Sequence, residues 1–365
     1  MAGEDLSSAE SASAPLPPLT ADRFSAEQRR LEDDVQRATA ESGLTRWFWG
    51  EGVCLLAAVR LAEARGERTP AWVERFFAAY ADAPPTLEHV NNLAPGAALA
   101  HLHRAAPTAA SASLIAASLE WYAAAPEATR TAEGALEHWP GGVWADTVYM
   151  AGQFLLRAGI ALDRPDLIAE AVTQWLLHAD LLQHPDSALL VHGTNAGVRI
   201  DCHWGRANAW FALAGADLLR TTGDERVRAR LVPLLRAAVA CQPDHGVWDV
   251  LLDSPPEVRG ILETSAAAGL GAALLRTATA LGPGDPVSAG LFRAGERAVL
   301  GALAYVRDGL LTRVSAGTIL QLIPFGYSVI RDDRPQPWGQ GLAMEALAAW
   351  RETHPAPTDH EEKAR

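Results

Sequence analysis

Apolar residues recur at helical spacing along almost the whole chain, whereas the alternating pattern typical of strands is nearly absent. Breaking this pattern at clusters of Gly, Pro and Asp predicts twelve helices. Their approximate bounds are 25–41, 47–64, 70–81, 90–106, 112–125, 144–158, 165–182, 204–221, 225–241, 262–281, 287–306 and 338–351. Three long connections between them, 183–203, 242–261 and 307–337, are candidates for active-site loops.

The predicted helices are of two kinds. The segment 26–41 (AEQRRLEDDVQRATAE) is amphipathic, which suits an outer helix, whereas 269–281 (GLGAALLRTATAL) is apolar and rich in small residues, which suits an inner one. No sequence repeat of fixed period stands out, which disfavours an open solenoid. Twelve helices in alternation therefore predict six helical hairpins closed into an all-α, (α/α)6 barrel.

The termini differ in composition from the rest of the chain. An acidic start followed by Ser, Ala and Pro predicts a disordered leader over 1–21, a single barrel domain over 22–352, and a flexible tail over 353–365. The start lacks the basic and apolar regions of a signal peptide, and no run of about 18 uncharged apolar residues predicts a membrane span. We expect a cytoplasmic protein without a membrane partner.

Composition narrows the ligand class. The net charge is -13 and no Lys/Arg cluster is dense enough to follow phosphates, which argues against nucleic acid. The three cysteines are far apart in sequence, so neither a disulfide framework nor a zinc site is expected. The chain has more Trp residues (twelve) than Phe residues (eight) or Tyr residues (five), and many of the Trp residues lie at helix starts or in loops. Each could be ordinary core, but as a set they favour a saccharide cleft, because indole rings stack on sugars.

Two segments contain candidate chemistry. In VWADTVYM, Asp146 is either an ordinary first-turn acid, favoured by the helix dipole, or a general acid whose pKa is raised by aromatic burial. In HWGRANAW, Arg206 and Trp210 share a helix face, so the guanidinium could bind a carboxylate beside a sugar-stacking ring or simply lie over an aromatic. His192, alone near Gly193, is weaker evidence for catalysis.

Four segments together resemble the unsaturated uronyl hydrolases of glycoside hydrolase families 88 and 105. They are VWADTVYMAGQFLLRAG, HWGRANAW, GVWDVLLDSPPEVRGILETSAA and WGQGLAMEAL, and the resemblance covers roughly residues 45 to 350. It implies an (α/α)6 barrel and an oligosaccharide substrate whose non-reducing end is a Δ4,5-unsaturated uronic acid left by a polysaccharide lyase. By this resemblance Asp146 protonates C4, and water deprotonated by the same carboxylate adds at C5. No metal or organic cofactor is implied.

The resemblance also implies roles for individual residues. Arg206 would pair with the uronate carboxylate, Trp204 and Trp210 would line the sugar site, and His192 would touch the substrate. An aromatic collar would hold Asp146 neutral. The remaining substrate-binding candidates are Asn91, Asn92, Trp144, Tyr149, Met150, Thr264 and Ser265, although from position alone helix capping is the favoured explanation of the Asn, Thr and Ser residues.

One departure from the family pattern concerns a second active-site Asp. The matching region reads EHVNNLAPG, so Asn91 or Asn92 stands where that acid is expected, and Glu88 is the nearest carboxylate. Either an Asn takes over the binding role or the register differs by a few residues. The sugar attached to the unsaturated uronate and the oligomeric state are not specified by the sequence.

Other functions fit parts of the same pattern. An inverting glycosidase needs two opposed carboxylates, for which Glu263 is a conceivable partner of Asp146. A sugar epimerase needs a histidine pair, for which His192 and His203 are available. A non-catalytic sugar-binding barrel needs only the aromatic residues and Arg206. The enzyme hypothesis requires that Asp146 is buried and faces the same cavity as Trp204, Arg206 and Trp210.

Overall fold

A computed structural model describes residues 14–354 as a ring of helical hairpins. The thirteen α helices of this part of the chain are α1 Ala21–Glu41, α2 Trp49–Ala64, α3 Ala71–Ala78, α4 Ala94–Ala105, α5 Ala109–Ala124, α6 Asp146–Ala161, α7 Pro165–Leu182, α8 Gly205–Thr222, α9 Glu225–Ala240, α10 Thr264–Leu281, α11 Ser288–Leu303, α12 Pro324–Ser328 and α13 Pro337–Thr353. A 3₁₀ turn, Val90–Leu93, precedes α4. All twelve predicted helices are present, and the five-residue α12 is additional.

Six helices form a closed inner ring. Helix α2 packs on α4, α4 on α6, α6 on α8, α8 on α10, α10 on α13, and α13 returns to α2. These helices are buried on nearly every side, and α10 carries the small apolar sequence predicted for an inner helix. Small residues permit this close approach: a Cβ on Gly52 of α2 would come within 2.6 Å of the backbone of Ala94. The predicted (α/α)6 barrel is confirmed.

The outer helices α1, α3, α5, α7, α9 and α11 each cover the ring from outside. Helix α1 is amphipathic, as predicted, and buries one stripe that includes Phe24, Val35 and Ala38. Four two-residue strands form two hairpins, β1 (Thr194–Asn195) with β2 (Val198–Arg199) and β3 (Val306–Arg307) with β4 (Leu310–Leu311). None of these short strands was predicted, because two residues leave no periodic signal.

The described parts of the termini pack against the barrel. In the predicted leader, the Leu16 N–H donates to the Tyr305 hydroxyl at 2.8 Å and the Leu19 N–H donates to the Leu300 carbonyl at 3.1 Å. Residues 14–20 therefore differ from the disorder expected of them, whereas residues 1–13 lie outside the described chain. In the predicted tail, His354 stacks on Trp350 with ring centroids 4.0 Å apart, and residues 355–365 lie outside the described chain.

No helix within residues 14–354 combines the length and the apolarity needed to cross a lipid bilayer.

The inner helices all begin at one end of the barrel. On four of them a residue near the start is followed, eleven positions later, by a charged residue that is buried or, in the case of Arg157, only 12% exposed: Trp49 and Arg60, Asp146 and Arg157, Arg206 and Asp217, Ser265 and Arg276. Eleven residues are about three helical turns, so each pair shares the inward face, roughly 16 Å apart along the axis. The barrel interior therefore has a site at the helix starts and an ionic cluster deeper inside.

Candidate active site

A cavity of about 250 Å³ opens at the helix starts of the inner ring. Its polar lining includes Asp146, Arg206 and Asn91, and the remaining walls are largely aromatic. The full set of lining residues is Phe48, Trp49, Asn91, His138, Trp139, Trp144, Asp146, Trp204, Arg206, Gly317, Thr318 and Ile319. A larger cavity of about 730 Å³, between α1 and the β3–β4 hairpin, is bordered by exposed ion-pairing residues such as Arg23 and Glu27 and contains no buried acid.

Asp146 is the first residue of α6, yet it does not cap the helix. Its side chain makes no capping hydrogen bond, and its Oδ2 atom has no hydrogen-bond partner within residues 14–354. The side chain is 13% exposed, and it borders the cavity together with Trp204 and Arg206. Asp146 is therefore a first-turn acid, as one predicted alternative has it, but its side chain borders the cavity instead of capping the helix, as the general-acid alternative requires.

His192 contacts the Asp146 carboxylate from behind the cavity wall. Its Nε2 atom lies 3.5 Å from Asp146 Oδ2, and its ring is 0% exposed between Trp144 and Trp204. The backbone holds the two residues together, because the Ala145 N–H donates to the His192 carbonyl at 3.0 Å. Gly193 permits this approach: a Cβ there would come within 2.7 Å of the Trp144 ring. His192 thus acts on the acid rather than lining the cavity.

The pKa of Asp146 is shifted in the direction opposite to the one expected from the sequence. Burial raises the pKa of its carboxyl, as the aromatic collar predicts. The contact with His192 and the neighbouring His138 and Arg206 outweigh burial, so the pKa of Asp146 lies below its ordinary value. In the unliganded protein the carboxyl is therefore ionised near neutral pH, not neutral as the sequence-based argument required.

His138 was missed by the sequence analysis. It stacks on Trp144 with centroids 4.5 Å apart and an interplanar angle of 10°, and its Nδ1 lies 3.1 Å from the Thr147 hydroxyl. Burial lowers the pKa of His138 to about 3, so the ring is neutral at ordinary pH. Its signal in the sequence was only the segment HWPGG before α6, whose tryptophan, Trp139, also lines the cavity.

Arg206 borders the cavity but is fully enclosed. Its Nη1 donates to the Ser315 carbonyl and hydroxyl, each at 2.9 Å, and its Nη2 donates to the Ala316 carbonyl at 2.9 Å. The guanidinium carbon lies 4.4 Å from the ring centroid of Trp204. Arg206 is 0% exposed, and its Nη1 also pairs with the buried Glu263 carboxylate at 3.4 Å, so it offers the cavity a partly balanced charge rather than a free two-pronged donor.

The two asparagines have different environments. Asn92 is committed to the backbone: its Oδ1 accepts from the Glu88 and His89 N–H groups, and its Nδ2 donates to the Trp47 carbonyl at 2.9 Å. Asn91 lines the cavity instead, and its side chain makes no hydrogen bond within residues 14–354. Of the two, Asn91 therefore occupies the place expected for a second acid at the cavity.

Five other predicted residues do not line the cavity. Tyr149 and Trp210 pack on each other beneath it, with centroids 4.7 Å apart, and Met150 is 1% exposed. Thr264 donates its hydroxyl proton to the Thr312 carbonyl at 2.6 Å, and Ser265 donates to Glu263. All five side chains are buried in packing or internal hydrogen bonds, so we assign them to support of the site and no longer to substrate contact.

Among residues 14–354, no group of three or more His, Cys, Asp or Glu side chains is arranged to hold a metal ion.

A family model, described as Glycosyl Hydrolase Family 88, matches residues 21–352. The chain belongs to this family. It is 34% identical over 240 residues to the unsaturated rhamnogalacturonyl hydrolase YesR of Bacillus subtilis, a match that covers 61% of this chain and 66% of that protein, slightly less than two thirds. The sequence-based recognition of the family is confirmed.

Solved structures of similar proteins share the fold. A possible GH105 member from Klebsiella pneumoniae is 26% identical, with a TM-score of 0.80 over 96% of this chain and 99% of that one. The unsaturated glucuronyl hydrolase of Bacillus sp. GL1 is 18% identical, with a TM-score of 0.67 over 88% of this chain and 96% of that one. At 18% identity, the similarity to the glucuronyl hydrolase supports only the shared six-hairpin fold.

Proposed function

We propose that this protein removes a Δ4,5-unsaturated uronic acid from the non-reducing end of lyase-generated oligosaccharides by hydrating the C4=C5 bond. The observation that carries the proposal is that Asp146 is the one carboxylate among the described residues that line the aromatic cavity. Ordinary glycoside hydrolysis uses two carboxylates on opposite sides of the sugar. Hydration of an enol ether needs a single group that first gives and then takes a proton.

The proposed reaction begins with protonation of carbon. Asp146 donates its proton to C4, the π electrons of the double bond form the new C–H bond, and positive charge develops at C5 and on the ring oxygen. Water then adds at C5 and gives its proton to the Asp146 carboxylate, which restores the acid. The hemiketal then opens: the C5–O bond breaks, the C5 hydroxyl becomes a carbonyl, and its proton passes to the ring oxygen, which leaves a hemiacetal at C1. The hemiacetal collapses to an aldehyde as the C1–O bond to the rest of the oligosaccharide breaks, and its hydroxyl proton passes to the departing oxygen. Asp146 ends protonated, as it began.

Arg206 supports recognition of the uronate through its charge. The carboxylate of an unsaturated uronic acid would be attracted to the guanidinium behind Trp204 and Thr318, both of which line the cavity. Because the two Nη atoms already donate to Ser315 and Ala316, the interaction is long-range rather than a bidentate pair. Asn91, whose amide is uncommitted, is positioned to bind a sugar hydroxyl.

The size of the cavity supports attack at a chain end. Its volume of about 250 Å³ is slightly below the usual range for ligand sites, roughly 300–1,000 Å³, and fits a terminal ring rather than a polymer crossing the barrel. The similarity to YesR favours an unsaturated rhamnogalacturonyl oligosaccharide as the substrate. The exposed Trp139 and Ile319 at the rim would then contact the next sugar.

The geometry disfavours the competing functions. Glu263, the conceivable second carboxylate of an inverting glycosidase, is 0% exposed and accepts hydrogen bonds from Ser265 and Ser315 instead of lining the cavity. His203, the conceivable second histidine of an epimerase, pairs with Asp253 at 3.1 Å and does not line the cavity either. A non-catalytic sugar-binding role leaves unexplained why a carboxylate borders the aromatic cavity at Asp146.

A panel of lyase-generated unsaturated disaccharides tests the proposal. The assay follows the loss of the ultraviolet absorbance of the C4=C5 bond, and the substrates differ only in the sugar attached to the uronate. We expect turnover, with the unsaturated uronate–rhamnose substrate preferred. An unchanged absorbance across the panel with folded protein would contradict the proposal.

The pH dependence should differ between kcat/KM and kcat. An acid catalyst must be protonated, so both parameters fall as pH rises through its pKa, in the free enzyme for kcat/KM and in the complex for kcat. The free enzyme holds the pKa of Asp146 below its ordinary value. A bound uronate adds negative charge near Arg206 and excludes water, both of which raise that pKa. We therefore expect the fall of kcat to occur at higher pH than the fall of kcat/KM. If both parameters fell at the same pH, the proposed rise in the pKa of Asp146 on substrate binding would be contradicted.

A further inference from the structure

One buried side chain anchors α12 within the long connection between β4 and α13. Tyr327 of α12 is 0% exposed, whereas its neighbours Ile323, Phe325 and Val329 are each exposed by 59% or more. The same connection supplies Gly317, Thr318 and Ile319 to the cavity wall. Tyr327 therefore attaches the α12 part of the connection to the interior, whereas the part that lines the cavity is held by the hydrogen bonds of Ser315 and Ala316 to Arg206.

The Tyr327 hydroxyl reaches the acid through one residue. Its oxygen lies 2.7 Å from His192 Nδ1, and His192 Nε2 lies 3.5 Å from Asp146 Oδ2. The imidazole is held in place by Trp204, whose ring centroid is 4.3 Å away. Three polar groups thus form a line from the loop to the cavity carboxylate.

The hydrogen-bond pattern assigns the tautomer of His192. Burial raises the pKa of the Tyr327 hydroxyl well above its ordinary value, so the phenol keeps its proton. Within residues 14–354, His192 Nδ1 is the one acceptor within hydrogen-bonding distance of the phenol proton, while the Gln321 N–H donates to the phenol oxygen at 3.4 Å, so the phenol donates to His192 Nδ1. A neutral imidazole that accepts at Nδ1 carries its own proton at Nε2, the atom that faces Asp146.

We propose that Tyr327 is a positioning residue that, through His192, keeps an N–H group directed at the Asp146 carboxylate. This inference rests on the proposed function. When Asp146 gives its proton to C4 it becomes an anion, and the His192 N–H stabilises that anion. The opposite tautomer would present a lone pair to it. The other groups that face Asp146 are His138 and Arg206, and the titratable neighbour of Tyr327, besides His192, is Cys202.

Tyr327→Phe tests the role, because it removes the hydroxyl and keeps the ring. We expect kcat on its acid plateau to fall roughly 10- to 100-fold, the range seen when the residue that orients a functional imidazole is lost, with KM nearly unchanged. The basic limb of kcat should move to higher pH, because the Asp146 anion is less well stabilised. Tyr122→Phe is the matched control, since Tyr122 also has a buried hydroxyl, bound to Glu170 on the outer helices.

Two further measurements separate positioning from simple loop support. In His192→Gln, adding Tyr327→Phe should cost little more, because the hydroxyl has lost the group through which it acts. In ¹⁵N spectra of the unliganded protein, the His192 signal, assigned by its absence in His192→Gln, should show an Nε2–H tautomer that is lost or mixed in Tyr327→Phe. If Tyr327→Phe lowered kcat equally in the wild type and in His192→Gln, or raised KM alone, the inference would be overturned.

The spectroscopic measurement needs no substrate, so the two proposals can fail separately. Turnover by the wild type together with an unchanged His192 tautomer in Tyr327→Phe overturns the positioning role alone. Absence of turnover by the wild type across the disaccharide panel overturns the proposed function, whatever the tautomer.

Discussion

Replacing Asp146 with Asn is expected to lower kcat on unsaturated disaccharides by at least about a thousandfold, because a positioned acid–base group contributes roughly 10²–10⁴-fold and here one group performs both proton transfers. An amide has nearly the shape of the carboxyl but cannot protonate C4 at any accessible pH. The loss should appear in kcat, with KM changed little, because the amide still fills the same place beside the bound sugar. The absorbance of the C4=C5 bond gives the measurement.

The control for this variant is a second carboxylate–histidine pair. Asp253 lies 3.1 Å from His203 and does not line the cavity, so Asp253→Asn removes a comparable contact without removing the proposed acid. We expect Asp253→Asn to retain wild-type kcat. Comparable residual activity in both variants, with both folded, would rule out Asp146 as the proton donor and favour the sugar-binding alternative.

The largest effect on stability is expected for Asp217→Asn. Asp217 is 1% exposed and accepts from Arg60, from Gln153 at 2.8 Å and from Arg157 at 3.4 Å. Without the negative charge of Asp217, the positive charges of the surrounding guanidinium groups are no longer fully neutralised. This lowers the free energy of unfolding by about 3–5 kcal/mol. For a domain of this size that corresponds to a fall in Tm on the order of 5 °C. Thermal unfolding at neutral pH measures it.

The pH dependence of that loss follows from the direction of the pKa shift. Although burial raises it, the surrounding arginines hold the pKa of Asp217 far below its ordinary value. A depressed pKa stabilises the folded state above the unfolded pKa, and this contribution is lost as pH falls. The difference in Tm between wild type and Asp217→Asn should therefore be largest near neutral pH and shrink below about pH 4.

A surface carboxylate provides the comparison. Asp34, whose side chain is 31% exposed, pairs at 2.7 Å with Arg37, which is 61% exposed, so Asp34→Asn should change the free energy of unfolding by less than about 1 kcal/mol. Because the ionic cluster lies about three helical turns from the cavity, Asp217→Asn should keep the kcat of the folded protein. An equal Tm for Asp217→Asn and Asp34→Asn would show that the buried cluster does not stabilise the barrel.

The ionic cluster illustrates why contacts between distant parts of the chain could not be predicted from the sequence. Arg60, Asp217 and Arg276 looked like ordinary polar positions on apolar helices, because their partners come from other helices of the ring. The sequence alone cannot align the inward faces of six helices, and that alignment decides which charges are neutralised. Tyr327 was passed over for the same reason: its partner, His192, is 135 residues away.

By itself, the sequence determined the twelve helices, their inner and outer character, the barrel and the family, because helical periodicity and the WADTVYM and HWGRANAW segments are local properties of the chain. Only the tertiary structure decided which candidates share the cavity. It brought Asn91, Trp144, Asp146, Trp204 and Arg206 to one wall, added His138, and placed Asn92, Tyr149, Trp210 and Ser265 behind it. It also set the sign of the pKa shift of Asp146, since that sign depends on the distances to His192, His138 and Arg206 rather than on the aromatic neighbours in sequence.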